Sequence, residues 1–253
     1  MAISDSQFVS GYLEHLHYRG GRTVCLETLN ALHRAHLARV PFENLALLED
    51  GFEPDLTRDH LFDCIVRRGR GGVCYELNTA FYDLLTAMGF DACQVSGCVQ
   101  PGEDMFSHVA TLVRLPEGTY LADVGFGDTD FPPIPVGPET TREGETEYFF
   151  DFSDATTAEV MCRRTGAPAR RLYTLSLTPR AMDDYLPRFR WAAAKGNTVF
   201  SMRPICVSRA DGRRTSLRRG VLTVEQNGQI LESRPVAPGD ETRQCLREYF
   251  HLL

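Results

Sequence analysis

The chain has 253 residues, 43% of them hydrophobic, with 27 basic side chains against 34 acidic ones and a formal net charge of −7. That length suits one large domain or two small ones, each able to bury a core without staples. The acidic balance argues against nucleic acid and against an anionic membrane surface as partners, and no apolar run approaches the ~18 residues of a membrane span.

The first ninety residues carry helical periodicity. Phe8, Tyr12 and Leu16 recur at helical spacing, with Asp5 or Ser6 as the expected cap. A second helix runs through Leu26, Leu29, Leu32, His36 and Val40 and stops at Pro41. A third is predicted from about Thr57 to Val66. A fourth starts near Cys74, stripes Leu77, Phe81, Leu84 and Met88 on one face, and ends at Gly89. The period then changes to two. Cys93 to Val99, Val109 to Leu115 and Tyr120 to Val124 read as strands, the last two joined by the turn Pro116-Glu117-Gly118. Phe131 to Pro135 reads as irregular connection, and Tyr173, Leu175 and Leu177 as a further strand. Val221–Val224 and Ile230–Leu231 flank Gln226-Asn227-Gly228-Gln229, a hairpin signal, and Asp240–Phe250 reads as a closing helix. Helices first, strands next and a mixed tail define the class as α+β.

The N-terminus has no basic segment ahead of an apolar run, so no secretory signal is expected and the expected location is cytoplasmic. The eight cysteines are scattered and are expected to be reduced thiols, and no Cys-x-x-Cys pair suggests structural zinc. Lys195 is the only lysine among the 27 basic residues, which we read as the coding bias of a GC-rich genome.

The segment richest in chemistry is Arg67 to Asn78, where a glycine-rich turn delivers Cys74 to the first turn of an apolar-striped helix. A helix N-terminus carries partial positive charge and free N–H groups, which favour a thiolate nucleophile. The glycines allow close approach of a substrate carbonyl, and the Cys74 N–H can face a developing oxyanion. The plainer alternative is a structural cysteine at a helix start. A cysteine nucleophile needs a base, and the base an orienting group. His108 opens one predicted strand and Asp123 ends the next. Pairing centred between Pro116 and Glu117 sets Ala110 opposite Asp123. That makes His108 and Asp123 diagonal neighbours, with Cβ atoms within roughly 8 Å. A register shift of one residue breaks the arrangement. An aspartate in an apolar strand end is costly unless paired, and a buried histidine answers that cost.

These residues resemble the arylamine N-acetyltransferase family. Arg70-Gly71-Gly72-Val73-Cys74-Tyr75-Glu76-Leu77-Asn78 looks like its signature, and Asp123-Val124-Gly125-Phe126-Gly127 like its aspartate segment. Val40-Pro41-Phe42-Glu43-Asn44-Leu45 matches its Pro-Phe-Glu-Asn element, and the likeness spans roughly residues 8 to 127. The resemblance implies an α+β fold with an N-terminal helical bundle, a β-barrel and a small α/β lid, on a core similar to cysteine proteases. The corresponding domains are residues 1–89 with the nucleophile, 90–185 with the histidine and aspartate, and 186–253 as the lid. It implies ping-pong acyl transfer from a thioester, acetyl-CoA first, to an arylamine-type nitrogen, with no metal. Carried over by position, Cys74 is the nucleophile, His108 the base and Asp123 its partner. Phe42 and Phe126 line the amine pocket, and Arg70 pairs with Glu43 to hold the nucleophile turn.

The family's Asn-Trp-Tyr-x-Ser-Thr-x-Pro run is replaced here by Phe189 to Phe200, where the Asn, the Ser-Thr pair and the Pro do not match. The Gly-Gly that often follows the aspartate segment is Gly127-Asp128. Both departures admit a related branch, amide synthases that release a polyketide from an acyl carrier protein onto an amine. A hydrolase or transglutaminase-like enzyme and a non-catalytic binding protein are the further alternatives. Arg209, Arg213, Arg214, Arg218 and Arg219 form a cluster able to hold phosphates, although a solvated hairpin end is the simpler expectation. His33 with His36, and His15 with His17, are expected on helix surfaces rather than on a metal. Tyr148 to Phe152 is expected as a buried strand, and Trp191 in the core.

Overall fold

The computed structural model describes residues 3–128, 131–210, 212–226 and 228–252. Helix α1 (Asp5–His15) starts at Ser4, one residue before the expected cap. The Ser4 hydroxyl accepts the Gln7 N–H and the Gln7 carboxamide reaches back to the Ser4 N–H, so the side chain three residues on decides the start. Helix α2 (Leu26–Arg39) ends as Pro41 forces Val40 into extended backbone. Strand β1 (Phe42–Glu43) follows, then α3 (Arg58–Phe62), which continues as a π turn over Asp63–Arg67, and α4 (Cys74–Ala87).

The next strands are β2 (Asp91–Cys98), β3 (His108–Leu115), β4 (Gly118–Ala122), β5 (Ile134–Pro135), β6 (Thr141–Glu143), β7 (Thr146–Phe152), β8 (Thr157–Arg164) and β9 (Arg170–Arg180). They form an eight-stranded antiparallel sheet in the order β5-β4-β3-β2-β9-β8-β7-β6, curled until it is nearly closed. The Pro-rich stretch expected as irregular ends in β5, because Ile134 and Pro135 pair with Leu121 and Tyr120. Along β3 the alternation decides which core each side chain joins. Val109, Val113 and Leu115 face the helices, with Phe81 and Leu84 of α4, while Ala110 and Leu112 fill the barrel interior with Val160 and Tyr173.

Helix α5 (Leu186–Ala193) buries Phe189 in the helical core, behind Tyr185. The strands β10 (Cys206–Ala210), β11 (Arg213–Arg218), β12 (Val221–Gln226) and β13 (Gln229–Pro235) form a second sheet, with β1 as its far edge. Helix α6 (Asp240–Phe250) covers it through Cys245, Leu246 and Phe250. Gln226 pairs with Gln229, as a two-residue hairpin requires, although Asn227 lies outside the described residues. Strand β1, which bridges to Gly72, thus ties the nucleophile turn to the C-terminal sheet through Phe42 opposite Val207. Among the described residues no helix is long and apolar enough to cross a membrane.

Candidate active site

The turn that presents Cys74 is threaded between two walls. A Cβ on Gly71 would lie 1.9 Å from the Pro41 carbonyl oxygen, and one on Gly72 would lie 2.7 Å from Glu76 Oε2. Only glycine fits either place. The Glu43 N–H donates to the Gly72 carbonyl at 2.9 Å, so the turn runs as a short parallel partner of β1. The Glu43 carboxylate accepts from Arg70 Nε at 2.9 Å, from the Gly71 N–H at 3.3 Å and from the Leu45 N–H at 2.6 Å. Arg70, Glu43 and the turn are thereby one unit, and Cys74 emerges half-buried at the start of α4.

His108 and Asp123 meet because of strand register. Leu115 pairs with Gly118 and Thr111 with Ala122, which continues to Ala110 opposite Asp123, the pairing expected from the Pro116-Glu117 turn. His108 Nε2 donates to Asp123 Oδ2 at 2.6 Å, and the imidazole also pairs with the Cys74 sulfur. With Nε2 committed to the carboxylate, Nδ1 is the nitrogen left for the thiol. Three further donors hold Asp123, one of them the Gly125 N–H on Oδ1 at 2.9 Å. Asn78 Nδ2 gives a hydrogen bond to Oδ1 at 2.8 Å, and the Tyr173 hydroxyl gives one to Oδ2 at 2.7 Å. The Tyr173 ring also lies 4.7 Å from the His108 ring. Asn78 is satisfied in full, since it donates to the Val109 carbonyl and accepts the Val124 N–H. In the sequence Asn78 stands in the quoted signature without a role, and Tyr173 reads only as a strand residue.

The electrostatics follow from this packing. Burial opposes charge on His108, but the Asp123 carboxylate outweighs it and pushes the imidazole up to about 10. Burial alone would raise Asp123. The charge and hydrogen bond of His108, with the bonds from Asn78 and Tyr173, hold it below the usual carboxylate range. Burial, then Asp123, keeps Tyr173 protonated as a donor.

Cys74 and His108 open into a cavity of about 740 Å³. Phe42 and Phe126 line it, as do Leu172, Phe189 and Phe200. Its rim differs from expectation at three residues. Trp191, expected in the core, is 46% exposed at the cavity, stacked under the Arg188 guanidinium at 3.9 Å. Arg218 and Arg219, expected on a solvated hairpin end, also line the cavity. Arg218 is anchored to the Gly127 carbonyl at 2.7 Å and to Asp128 at 3.0 Å. Asp128 is thus the acid that fixes this arginine. Arg213 is exposed, and Arg214 donates to the Asp128 carbonyl at 3.1 Å.

His33 and His36 are buried, not on a helix surface. His33 Nε2 donates to the Asp123 carbonyl at 3.1 Å, and His36 Nε2 pairs with the Tyr12 hydroxyl at 3.0 Å. Burial drives His33 down to about 4 and His36 to about 3, so both are neutral at pH 7. His15 is half-buried and His17 exposed. Tyr148 and Phe150 are buried in β7 as expected of a strand, while Phe152 is exposed. Among the described residues no group of three or more His, Cys, Asp and Glu is placed to hold a metal.

A half-buried cysteine thus stands beside a buried histidine–aspartate pair, on a helical core and a nearly closed barrel. The profile of the family described as N-acetyltransferase matches residues 25–253, and the chain belongs to the arylamine N-acetyltransferase family. Proansamycin X synthase of Amycolatopsis mediterranei is 31% identical over 93% of this chain and 94% of its own. The arylamine N-acetyltransferase of Salmonella typhimurium superposes with a TM-score of 0.87 at 26% identity, covering 97% of this chain and 91% of that one. The Mycobacterium marinum enzyme in complex with CoA superposes at 0.86 with 25% identity, covering 96% and 92%. The protein is accordingly an N-acyltransferase of the amide-forming kind.

Proposed function

We propose that the chain moves an acyl group from a thioester donor, acetyl-CoA first, to the nitrogen of an arylamine-type acceptor by way of a thioester on Cys74. The observation that carries this reading is the line Cys74–His108–Asp123 at the wall of one large cavity. His108, pushed up to about 10 and so already carrying the thiol proton at pH 7, gives that proton to the departing thiol as the sulfur attacks the donor carbonyl and the donor's carbon–sulfur bond breaks. The amine then attacks the Cys74 thioester and gives its proton to His108. Collapse restores the Cys74 thiol and releases the amide. Asp123 holds the imidazole in one tautomer and balances its positive charge. Phe42 and Phe126 take the apolar face of the amine, and Arg70 with Glu43 keeps the turn in place. Residues 1–89, 90–185 and 186–253 remain our division of the chain into bundle, barrel and lid.

The test is intact-protein mass spectrometry after mixing with acetyl-CoA, with Cys74→Ala as control. One acetyl group is expected, absent from the variant and discharged by an aromatic amine. No adduct on protein whose Cys74 still reacts with iodoacetamide rejects acetyl-CoA as donor.

A second reading is an amide synthase that receives a long acyl chain from an acyl carrier protein. The similarity to a synthase of proansamycin X supports it. So does an apolar cavity lip, where Trp191, Val199 and Met202 are 46%, 60% and 54% exposed. Apolar surface of that kind at a reaction cavity is suited to an extended acyl group. Faster acylation of Cys74 by a long-chain pantetheine thioester than by acetyl-CoA would favour this reading.

A further inference from the structure

Glu76 is a buried carboxyl group to which the acyl-transfer scheme gives no part. It grips Val73 at both of that residue's backbone polar groups. The Glu76 N–H donates to the Val73 carbonyl at 3.0 Å, and Glu76 Oε2 accepts the Val73 N–H at 2.9 Å. A trans peptide unit is planar, so its C=O and N–H point opposite ways. With the Val73 carbonyl committed to α4, the Cys74 N–H is aimed out of the N-terminal end of the helix. Among the described residues it has no protein acceptor. Val73 and Cys74 both line the cavity.

The same carboxyl group packs against Gly72, where a Cβ would fall 2.7 Å from Oε2. Across the turn, Glu43 holds the Gly71 N–H at 3.3 Å. The two carboxyl groups therefore take the N–H groups of Gly71 and Val73 and leave those of Gly72 and Cys74, of which the latter belongs to a residue that lines the cavity. We propose that Glu76 is the positioning residue of an oxyanion site. By clamping Val73 it aims the Cys74 N–H at the oxyanion formed when an acyl carbon reaches the Cys74 sulfur. This rests on the reading of Cys74 as the acylated residue. Burial, with Glu43 adding to it, outweighs the Val73 bond and Arg70 and pushes the Glu76 carboxyl up to about 8. At neutral pH the clamp therefore places little negative charge beside the oxyanion.

The test compares two reactions at one sulfur. Iodoacetamide alkylates Cys74 by displacing iodide at a saturated carbon, with no oxyanion. With p-nitrophenyl acetate the sulfur–carbon bond forms through a tetrahedral oxyanion before p-nitrophenolate leaves. In Glu76→Ala, acylation is expected to fall about 10- to 100-fold while alkylation stays within about twofold. Gly72→Ala keeps the glutamate but crowds Oε2, and the same split is expected. Glu76→Gln retains an acceptor oxygen and is expected to recover most of the acylation lost in the alanine variant. Acylation and alkylation falling together, or Glu76→Ala acylating at the wild-type rate, overturns the inference and leaves the acyl-transfer reading standing. Wild-type protein that alkylates but takes no acyl group from ester or thioester overturns both.

Discussion

Two regions on either side of Asp123 hold buried histidines, and they differ in charge. His33 reaches Asp123 through its backbone carbonyl, His108 through its carboxylate. Each residue is 2% exposed, and burial pushes both toward the neutral form. Yet His33 is driven down to about 4 and His108 up to about 10. Equal burial with opposite outcomes means that the partner's charge decides. A carbonyl dipole cannot offset the desolvation of an imidazolium, whereas a carboxylate already fixed by Asn78 and Tyr173 can. One histidine is thereby equipped to hold a proton, and the other pins the strand end from which Asp123 projects.

The sharpest way to break that comparison is to remove what the charged region serves. Cys74→Ala is expected to lower thioester turnover by at least about 10⁴-fold, read as product formed from acyl donor and aromatic amine. Asp123→Asn comes next. It keeps the shape of the side chain but removes the charge and sets an NH2 where one of the two accepting oxygens stood. Acylation of Cys74 is expected to fall about 10³- to 10⁴-fold. The His108 titration followed by NMR is expected to move down from about 10 toward the behaviour of His33. A His108 that still titrates near 10 in the Asp123→Asn variant would show that the carboxylate is not the cause.

Stability against pH separates the two regions again. His33 and His36 have folded values below the ordinary 6.5, so their contribution is present above 6.5 and is lost as pH falls toward about 4 and about 3. His108 has the opposite sign. Its contribution is full below 6.5 and is lost as pH rises through about 10. Asp123, held low, contributes above the usual carboxylate range and loses that contribution in stronger acid. Replacing Tyr12 and His36 together by Phe removes one histidine and its partner without orphaning either. Between about pH 4 and 6.5, the slope of stability against pH is expected to drop by about 1.4 kcal/mol per pH unit. Chemical denaturation across that window measures it, and an unchanged slope would mean that His36 is not the group that charges on unfolding. The alkaline limb belongs to His108 and is expected to flatten in Asp123→Asn alone.

How much of this was legible in the sequence depends on whether a contact was local. The His108–Asp123 meeting followed from a two-residue turn and a period of two, and the observed register is the one that turn demands. The placing of Cys74 followed from Gly71-Gly72 and the stripe of α4. Tyr173 did not follow, because it reaches Asp123 only through the pairing of β2 with β9, which no local pattern encodes. His33 and His36 share a helix face with Leu29 and Leu32, so their burial was implicit in the spacing. Polarity argued for the surface, and only the distant acceptor at Asp123 and the partner Tyr12 make burial tolerable. Trp191 fails in the other direction: a large apolar side chain is usually core, but here it lies at a reaction cavity.

The smallest expected effect lies at the cavity rim, where charge acts through solvent. Arg218 pairs with Val221, which leaves Arg219 and Gly220 as a two-residue turn with φ of 52° and 71°. Two positive φ values mark the hairpin turn that Asn-Gly fills with least strain. An arginine held there faces the cavity at the cost of a backbone that asparagine adopts more easily. Arg218 is occupied by Gly127 and Asp128, so Arg219 is the more available cation for a phosphorylated donor. Arg219→Asn is expected to keep the hairpin, with stability unchanged or raised by at most about 1 kcal/mol. The KM for a CoA thioester is expected to rise about three- to fivefold at low salt with kcat unchanged, and the difference to shrink in high salt. A pantetheine thioester without phosphate is the control, since its KM has no charge to lose. An equal rise for that neutral donor would mean that Arg219 shapes the cavity mouth rather than reads the donor's charge. The contrast that opened around Asp123 would then stop at the buried groups, where a fixed partner exists to set the charge.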